Sequence, residues 1–241
     1  GSLTNGSRLN GKVADAFARH ATWVRVSIDG WDGPSYAQYR TISEDKFDEL
    51  LDILKAFSDR GTDCVLGTSM IVDDRNAPHI ADLASRLKGA GVQHMKVSPC
   101  VISNSAADNS AYHERIAAGV ADQIKAAREL EDESFTVVDH YHTADDSYDK
   151  SYHSCPFLNL LTVVGANCRV YPCQDKAYTD QGLLGSLRSV RFRDLWHSRE
   201  VRQTIHDLDP TLSCRHHCVA DAKNRLLHQL ISLDSDHATF V

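Results

Sequence analysis

The first half of the chain alternates short apolar runs with longer stretches that carry a single apolar stripe. "WVRVSIDG" (23–30), "DCVLGTSMIV" (63–72), "VQHMKVSPC" (92–100) and "SFTVVDHYH" (134–142) read as strands, and "SLTNG" (2–6) as a strand end entering a turn. Between them, "RLNGKVADAFARHA" (8–21), "SEDKFDELLDILKAFSDRG" (43–61) and "APHIADLASRLKGAG" (77–91) read as helices. The clearest is 43–61. Phe47, Leu50, Leu51, Leu54 and Phe57 recur at helical spacing, Ser43 is positioned as an N-cap, and Gly61 closes the segment. Pro78 falls in the first turn of the next helix. Residues 103–131 read as a polar loop followed by the helix "AYHERIAAGVADQIKAAREL". Strands alternating with helices of this length predict βαβ units and a parallel sheet.

The pattern changes after "TADDSYDKSYHS" (143–154), a polar, turn-rich stretch that marks a boundary between domains 1–150 and 151–241. Beyond it, "LNLLTVV" and "RVYPC" flank "GANC" as a β-hairpin. "SVRFRDLWHSREVRQTIHDL" reads as a helix, "DPTLS" as a linker, and "CRHHCVADAKNRLLHQLISL" as a terminal helix starting at the cysteines.

Composition narrows the class. With 241 residues, 42% hydrophobic and 24% charged, the chain can bury a core without staples. A net charge of −7 argues against a nucleic-acid footprint, and no 18-residue apolar run or signal peptide is present. No membrane or nucleic-acid partner is expected, and the cytoplasm is the expected compartment. The chain opens on Gly1 and its first Met is Met70, so it reads as a trimmed or incomplete product, with "GS" as a cloning remnant.

Seven cysteines without a secretory signal suggest a reducing compartment, where clustered thiols serve metals or catalysis more often than disulfides. Cys64 lies in an apolar strand and reads as a small core hydrophobe. Cys155 and Cys173 flank the hairpin, and Cys214 and Cys218 follow with three residues between them. Four thiolates converging there would hold a metal ion or a cluster. Zinc sites usually draw on closely spaced pairs, and the 17 residues between Cys155 and Cys173 weaken that alternative without removing it. His216 and His217 could also serve zinc but read as solvent-facing or as backing a ligand, and Cys168 is a fifth candidate thiol.

"CPFLNLLTVVGANCRVYPC…LGSL…FRDLWHSREVRQ…CRHHC" resembles the C-terminal SPASM/twitch region of radical SAM enzymes, in order over residues 155–218. The resemblance implies one auxiliary [4Fe–4S] cluster on Cys155, Cys173, Cys214 and Cys218, as in the shorter twitch form. Cys168 falls where that family more often has Gly. "LTNG" and "VRVSIDG…YAQYR" resemble the third and fourth strands of the radical SAM partial (β/α)6 barrel, with "CVLGTSMIV" and "HMKVSPC" as the fifth and sixth. The implied fold class is α/β: strands three to six of that barrel, then a small α+β domain. Ser27 and Asp29 match the family's "S.D", and Arg40 an Arg suited to the methionyl carboxylate of S-adenosyl-L-methionine; Asn5 ends the third strand.

Neither Cys-x-x-x-Cys-x-x-Cys nor the Gly-Gly-Glu-Pro segment is present, so the resemblance implies an amino-terminally incomplete enzyme that is inactive alone. The complete protein would add a second [4Fe–4S] cluster and cleave S-adenosyl-L-methionine to a 5′-deoxyadenosyl radical. That radical would abstract hydrogen from a sugar- or cyclitol-like small molecule or a peptide, with flavodoxin or ferredoxin as electron donor. Cys100, at the end of the last barrel strand, and Cys168 are candidate hydrogen-atom donors of the kind an epimerase needs. The rival classes are a zinc-binding interaction domain and a one-cluster electron carrier.

Overall fold

The computed structural model describes residues 1–103, 105–142, 149–214 and 218–233. Five strands, β1 (Ser2–Thr4), β2 (Trp23–Ser27), β3 (Val65–Val72), β4 (His94–Pro99) and β5 (Thr136–Asp139), form a parallel sheet in sequence order. The crossovers are α1 (Gly11–His20), then α2 (Gly33–Arg40) with α3 (Asp45–Ser58), then α4 (Ile80–Gly89), then α5 (Ala106–Glu114) with α6 (Ala117–Arg128). The order is that of a barrel wall left open, an α/β partial barrel. Two compact units result: Gly1–Ile102 with Asn109–Ala144, and Ser103–Asp108 with Asp145–Val241.

One face of the sheet is the core of the first unit. Val24, Val26, Met70, Val72, Met95 and Val97 are fully buried against Phe47 and Leu54 of α3, Ile80, Leu83 and Leu87 of α4, and Val120 of α6. Each such side chain contributes roughly 1.5–3 kcal/mol on leaving water, which holds helices whose ends have little capping of their own. The predicted stripe of α3 is buried at Phe47, Leu50, Leu54 and Phe57, while Leu51 lies at its margin. Ser43 does not cap it; the helix starts at Asp45.

Several boundaries differ from the sequence pattern, each for a local reason. Helix α2 is extra, started by a capping box in which Asp32 accepts from Ser35 N at 2.8 Å and Ser35 Oγ accepts from Asp32 N at 3.0 Å. Pro78 sits in a 3-10 turn, Ala77–His79, ahead of α4. The helix expected over 111–130 is split between α5 and α6, with α5 beginning in the expected loop.

The second unit has a three-stranded antiparallel sheet, β6 (Val163–Val164), β7 (Arg169–Tyr171) and β8 (Gly185–Ser186). The hairpin is thus shorter than its apolar run, since Pro156 starts a 3-10 turn over Pro156–Asn159, and "LGSL" supplies a third strand. The helix expected over 189–208 breaks into α7 (Phe192–Trp196) and α8 (Arg199–Asp207), because Ser198 Oγ caps α8 by accepting from Val201 N at 3.3 Å. The expected linker forms α9 (Pro210–Ser213), with Asp209 as its N-cap. Helix α10 (Asp221–Ile231) begins after the cysteines rather than at them. Leu158, Val201 and Ile205 form the small core, flanked by Cys155, Cys173, Leu184, Leu195, Trp196 and Leu208. Among the described residues, no helix is long and apolar enough to cross a membrane.

Candidate functional site

All seven cysteines are free thiols. Four of them, Cys155, Cys173, Cys214 and Cys218, line one cavity of about 30 Å³ in the second unit, walled by Tyr152, Phe157, Leu158, Leu161, Leu208 and Pro210. Different local devices deliver each thiol. Cys155 is the N-cap of the 3-10 turn Pro156–Asn159, and Cys173 is the N-cap of a second one, Gln174–Lys176. Cys214 is the C-cap of α9, its N–H donating to Pro210 O at 3.0 Å. Cys218 accepts at its carbonyl from Asp221 N at 3.1 Å, at the entrance to α10. Lys176 Nζ donates to Ser213 O, tying the turn after Cys173 to the residue before Cys214. His216 and His217 lie outside the described residues.

The cavity presents donors to sulfur. Asn224 Nδ2 donates to Cys155 Sγ at 3.1 Å. Backbone N–H groups add to this: Leu158, which donates to Cys155 O at 3.1 Å, also lies toward its sulfur, Lys176 and Asp175 lie toward Cys173, and Ala220 toward Cys218. Burial pushes the Cys155 and Cys173 thiols up, and that of Cys218 up to about 11, against the pull of those donors. An apolar pocket ringed with N–H groups aimed at sulfur suits thiolates that share their charge with a bound metal group; incoming iron would displace their protons. Among the described residues, no group of three Cys, His, Asp or Glu is gathered closely enough to hold a single metal ion. The four thiols meet around a shared space instead.

Sequence reading missed Asn224, although a signal exists. Asp221, Asn224 and His228 fall at i, i+3 and i+7 of α10, and this polar stripe faces inward. Asp221 accepts from Tyr152 Oη at 2.9 Å, Asn224 Oδ1 accepts from Phe157 N at 3.0 Å, and His228 Nε2 lies 2.8 Å from Ser154 O. Leu226, Leu230 and Ile231 of the same helix are exposed.

Cys168 does not line the cavity. It is exposed in the turn between β6 and β7, with φ +64°. A left-handed residue is what that turn requires, which is the physical reason for Gly at such a position. Cys168→Gly is therefore expected to stabilise the unit by about 1 kcal/mol in urea unfolding, the relief of a non-glycine side chain in left-handed backbone. A loss of stability would show that the turn is held by the cysteine itself.

In the first unit, Ser27, Asp29 and Arg40 come together at the carboxyl ends of the strands. Arg40 Nη2 donates to Ser27 O at 2.9 Å and lies 3.3 Å from both Ser27 Oγ and Asp29 Oδ2. Asp29 Oδ1 accepts from Ile71 N at 2.9 Å. Burial pushes the Asp29 carboxyl up, opposed by the Ile71 N–H and Arg40. Arg40 Nε is buried and has no partner among the described residues. Asn5 Oδ1 accepts from Ser7 N and Oγ. Asn5 and Arg40 line an open cavity of about 520 Å³, with Tyr36, Lys46 and Glu49. Cys100 follows β4, half-buried, with Sγ 3.9 Å from His113 Nε2. His113 is braced by Cys100 O at 2.8 Å and Tyr141 Oη at 2.9 Å.

Comparison with solved structures gives the class of this architecture. Streptococcus suis SuiB matches at 14% identity and TM-score 0.53, over 82% of this chain and 48% of SuiB. SuiB bound to the precursor peptide SuiA matches at 13% identity and TM-score 0.54, over 86% and 49%. The structure of anSMEcpe with bound AdoMet matches at 12% identity and TM-score 0.51, over 98% and 73%. The chain therefore has the fold of radical SAM enzymes, in partial-barrel form, and spans about half the length of SuiB. Residues 155–219 match the family model of SPASM, an iron-sulfur cluster-binding domain, and the four converging cysteines all lie within that span. The fold is thus that of radical SAM enzymes, and residues 155–219 of the second unit match the SPASM domain. No curated protein matches the sequence.

Proposed function

We propose that the chain is part of a SPASM-type radical SAM enzyme in which Cys155, Cys173, Cys214 and Cys218 hold one auxiliary [4Fe–4S] cluster. The observation that carries this reading is the single apolar cavity onto which all four thiols open, with Asn224 and backbone N–H groups directed at the sulfurs. The donor set fits the group: four thiolates are the usual complement of a cubane cluster, and the N–H donors stabilise charge on sulfur. When bound, such a cluster would supply one-electron transfer. The chain's own part is to exclude water with Phe157, Leu158 and Leu208, to keep Cys155 oriented through Asn224, and to set sulfur charge through its amides.

In the first unit, Ser27, Asp29 and Arg40 form the polar rim proposed to bind S-adenosyl-L-methionine, with Asn5 beside it. Asp29 orients the guanidinium, and the free Nε edge of Arg40 is left for a carboxylate. Arg40→Met is expected to weaken S-adenosyl-L-methionine binding at least tenfold in equilibrium dialysis of the full-length protein; unchanged binding would assign Arg40 to bracing alone. The proposed reaction is hydrogen abstraction, with a second cluster and a flavodoxin- or ferredoxin-like reductant in the complete protein. A peptide substrate is favoured over a sugar- or cyclitol-like molecule, because SuiB has been seen with the peptide SuiA and anSMEcpe with the Cp18Cys peptide. Cys100 is the stronger candidate hydrogen-atom donor, since it sits at the carboxyl ends of the strands, where sites of such sheets gather.

The test is metal content after purification without oxygen. Iron and sulfide at roughly four each per chain support the reading. About one zinc and no iron would replace it with a structural zinc site.

A further inference from the structure

The face of the sheet opposite the core carries an unusual row. Arg25 of β2, Gly67 of β3 and His94 of β4 are register partners, and Ser27, Ser69 and Lys96 form the next row. Their neighbours Val24, Val26, Met95 and Val97 are fully buried on the core face, so alternation places Arg25, His94 and Lys96 together on the other one. Gly67 makes the row possible. A Cβ there would stand 2.2 Å from both Cε1 and Nε2 of His94, so the imidazole lies over the bare β3 backbone, between its own strand and that of Arg25.

These groups affect one another. Burial and then Arg25 push His94 and Lys96 down, and His140, after β5, is pushed down by burial, Lys96 and Arg25, with Asp139 opposing. Asp139, the acid that opposes the shift at His140, is already engaged by His142 at 2.8 Å and by Arg128 at 3.8 Å. Among the described residues, no carboxylate forms an ion pair with Arg25, His94 or Lys96, and Arg25 Nε is buried with no hydrogen-bond partner. The guanidinium is instead 5.8 Å from the ring centre of Trp23. Partly buried cations are normally paired. Arg25 and Lys96 are held half-buried beside His94 on the sheet face opposite the core, with an Arg25 donor unused and no carboxylate paired with them among the described residues.

We propose that Arg25, His94 and Lys96 form an oxyanion subsite that takes a carboxylate or phosphate group of the substrate. The guanidinium offers a planar pair of donors, Lys96 a point charge, and His94 a proton that the bound anion would retain. That the ligand is a substrate rests on the function proposed above; that the row binds an oxyanion does not.

The experiment titrates the full chain with inorganic phosphate and, separately, with succinate, followed by the NMR signal of the His94 ring, assigned by its loss in His94→Gln. Saturable binding that raises the His94 pKa is expected, because a neighbouring anion favours the imidazolium. Arg25→Gln and, as a second variant, Lys96→Gln should each weaken binding at least tenfold. Tighter phosphate binding would point to a phosphorylated substrate, and tighter succinate binding to a carboxylate. Absence of saturable binding, an unmoved His94, or affinity in both variants equal to that of the unaltered chain would overturn the proposal. Repeating the titration with and without reconstituted cluster separates the two ideas. Oxyanion binding by a chain that takes up no iron removes the cluster reading alone, and iron uptake without oxyanion binding removes the subsite alone.

Discussion

A Cys214→Ala chain purified without oxygen is expected to hold less than about one iron, against roughly four for the unaltered chain. Three thiols would remain on a small apolar cavity whose walls offer few replacement ligands. A cluster lacking one protein ligand there is open to loss. Stability should fall with it, because a group bound only by the folded state stabilises that state by mass action, about 4 kcal/mol at a thousandfold excess over its dissociation constant. The second unit should therefore melt earlier in the variant than in the iron-loaded chain, and iron chelation should lower the melting temperature of the unaltered chain but not of the variant. Calorimetry with parallel iron and sulfide analysis reads both effects. Iron retained at the unaltered level would remove Cys214 from the ligand set.

The second large effect is expected at Asn224, which is 1% exposed and uses both ends of its amide. Its Nδ2 donates to Cys155 Sγ and its Oδ1 accepts from Phe157 N. Asn224→Leu leaves the Phe157 N–H buried without a partner and forces a branched side chain into a polar niche beside Asp221. Together these should cost about 2–4 kcal/mol in denaturant unfolding. Asn224→Asp separates the roles. It keeps the acceptor for Phe157 and replaces the donor near sulfur with a negative charge. The loaded chain's reduction potential should then fall, because removing a donor and adding like charge both disfavour the extra electron. An unchanged potential in Asn224→Asp would confine this residue to packing.

The alternation of apolar runs and striped helices made the parallel sheet legible before any coordinates, since parallel strands covered by crossover helices must be apolar and helices must bury one stripe. The α3 stripe shows how well this works: four of its five apolar positions are buried. Breaks were less legible. Ser198 and Asp32 start helices by accepting from N–H groups three residues on, a local gain that apolar periodicity does not register. The four cysteines were legible as a set because of their order around "VYPC" and "CRHHC". The devices that aim them, two 3-10 turns, the end of α9 and the entrance to α10, were not, since each depends on a cap or turn a few residues long.

What the sequence determined by itself is therefore the layered βα wall, which follows from residue type and spacing, while the grouping of the four cysteines was implied by the resemblance of their segment to the SPASM region. Tertiary structure decided which face of α10 turns inward. Judged by its leucines, that helix should bury Leu226 and Leu230, yet they are exposed while Asp221 and Asn224 are buried. The reason is that Tyr152, Phe157 and Cys155, far away in sequence, present a hydroxyl, an amide and a sulfur that only a polar stripe can satisfy. Tertiary structure likewise set Arg25 beside His94. Their meeting depends on strand register and on a glycine between them, neither of which is written in the spacing of either residue.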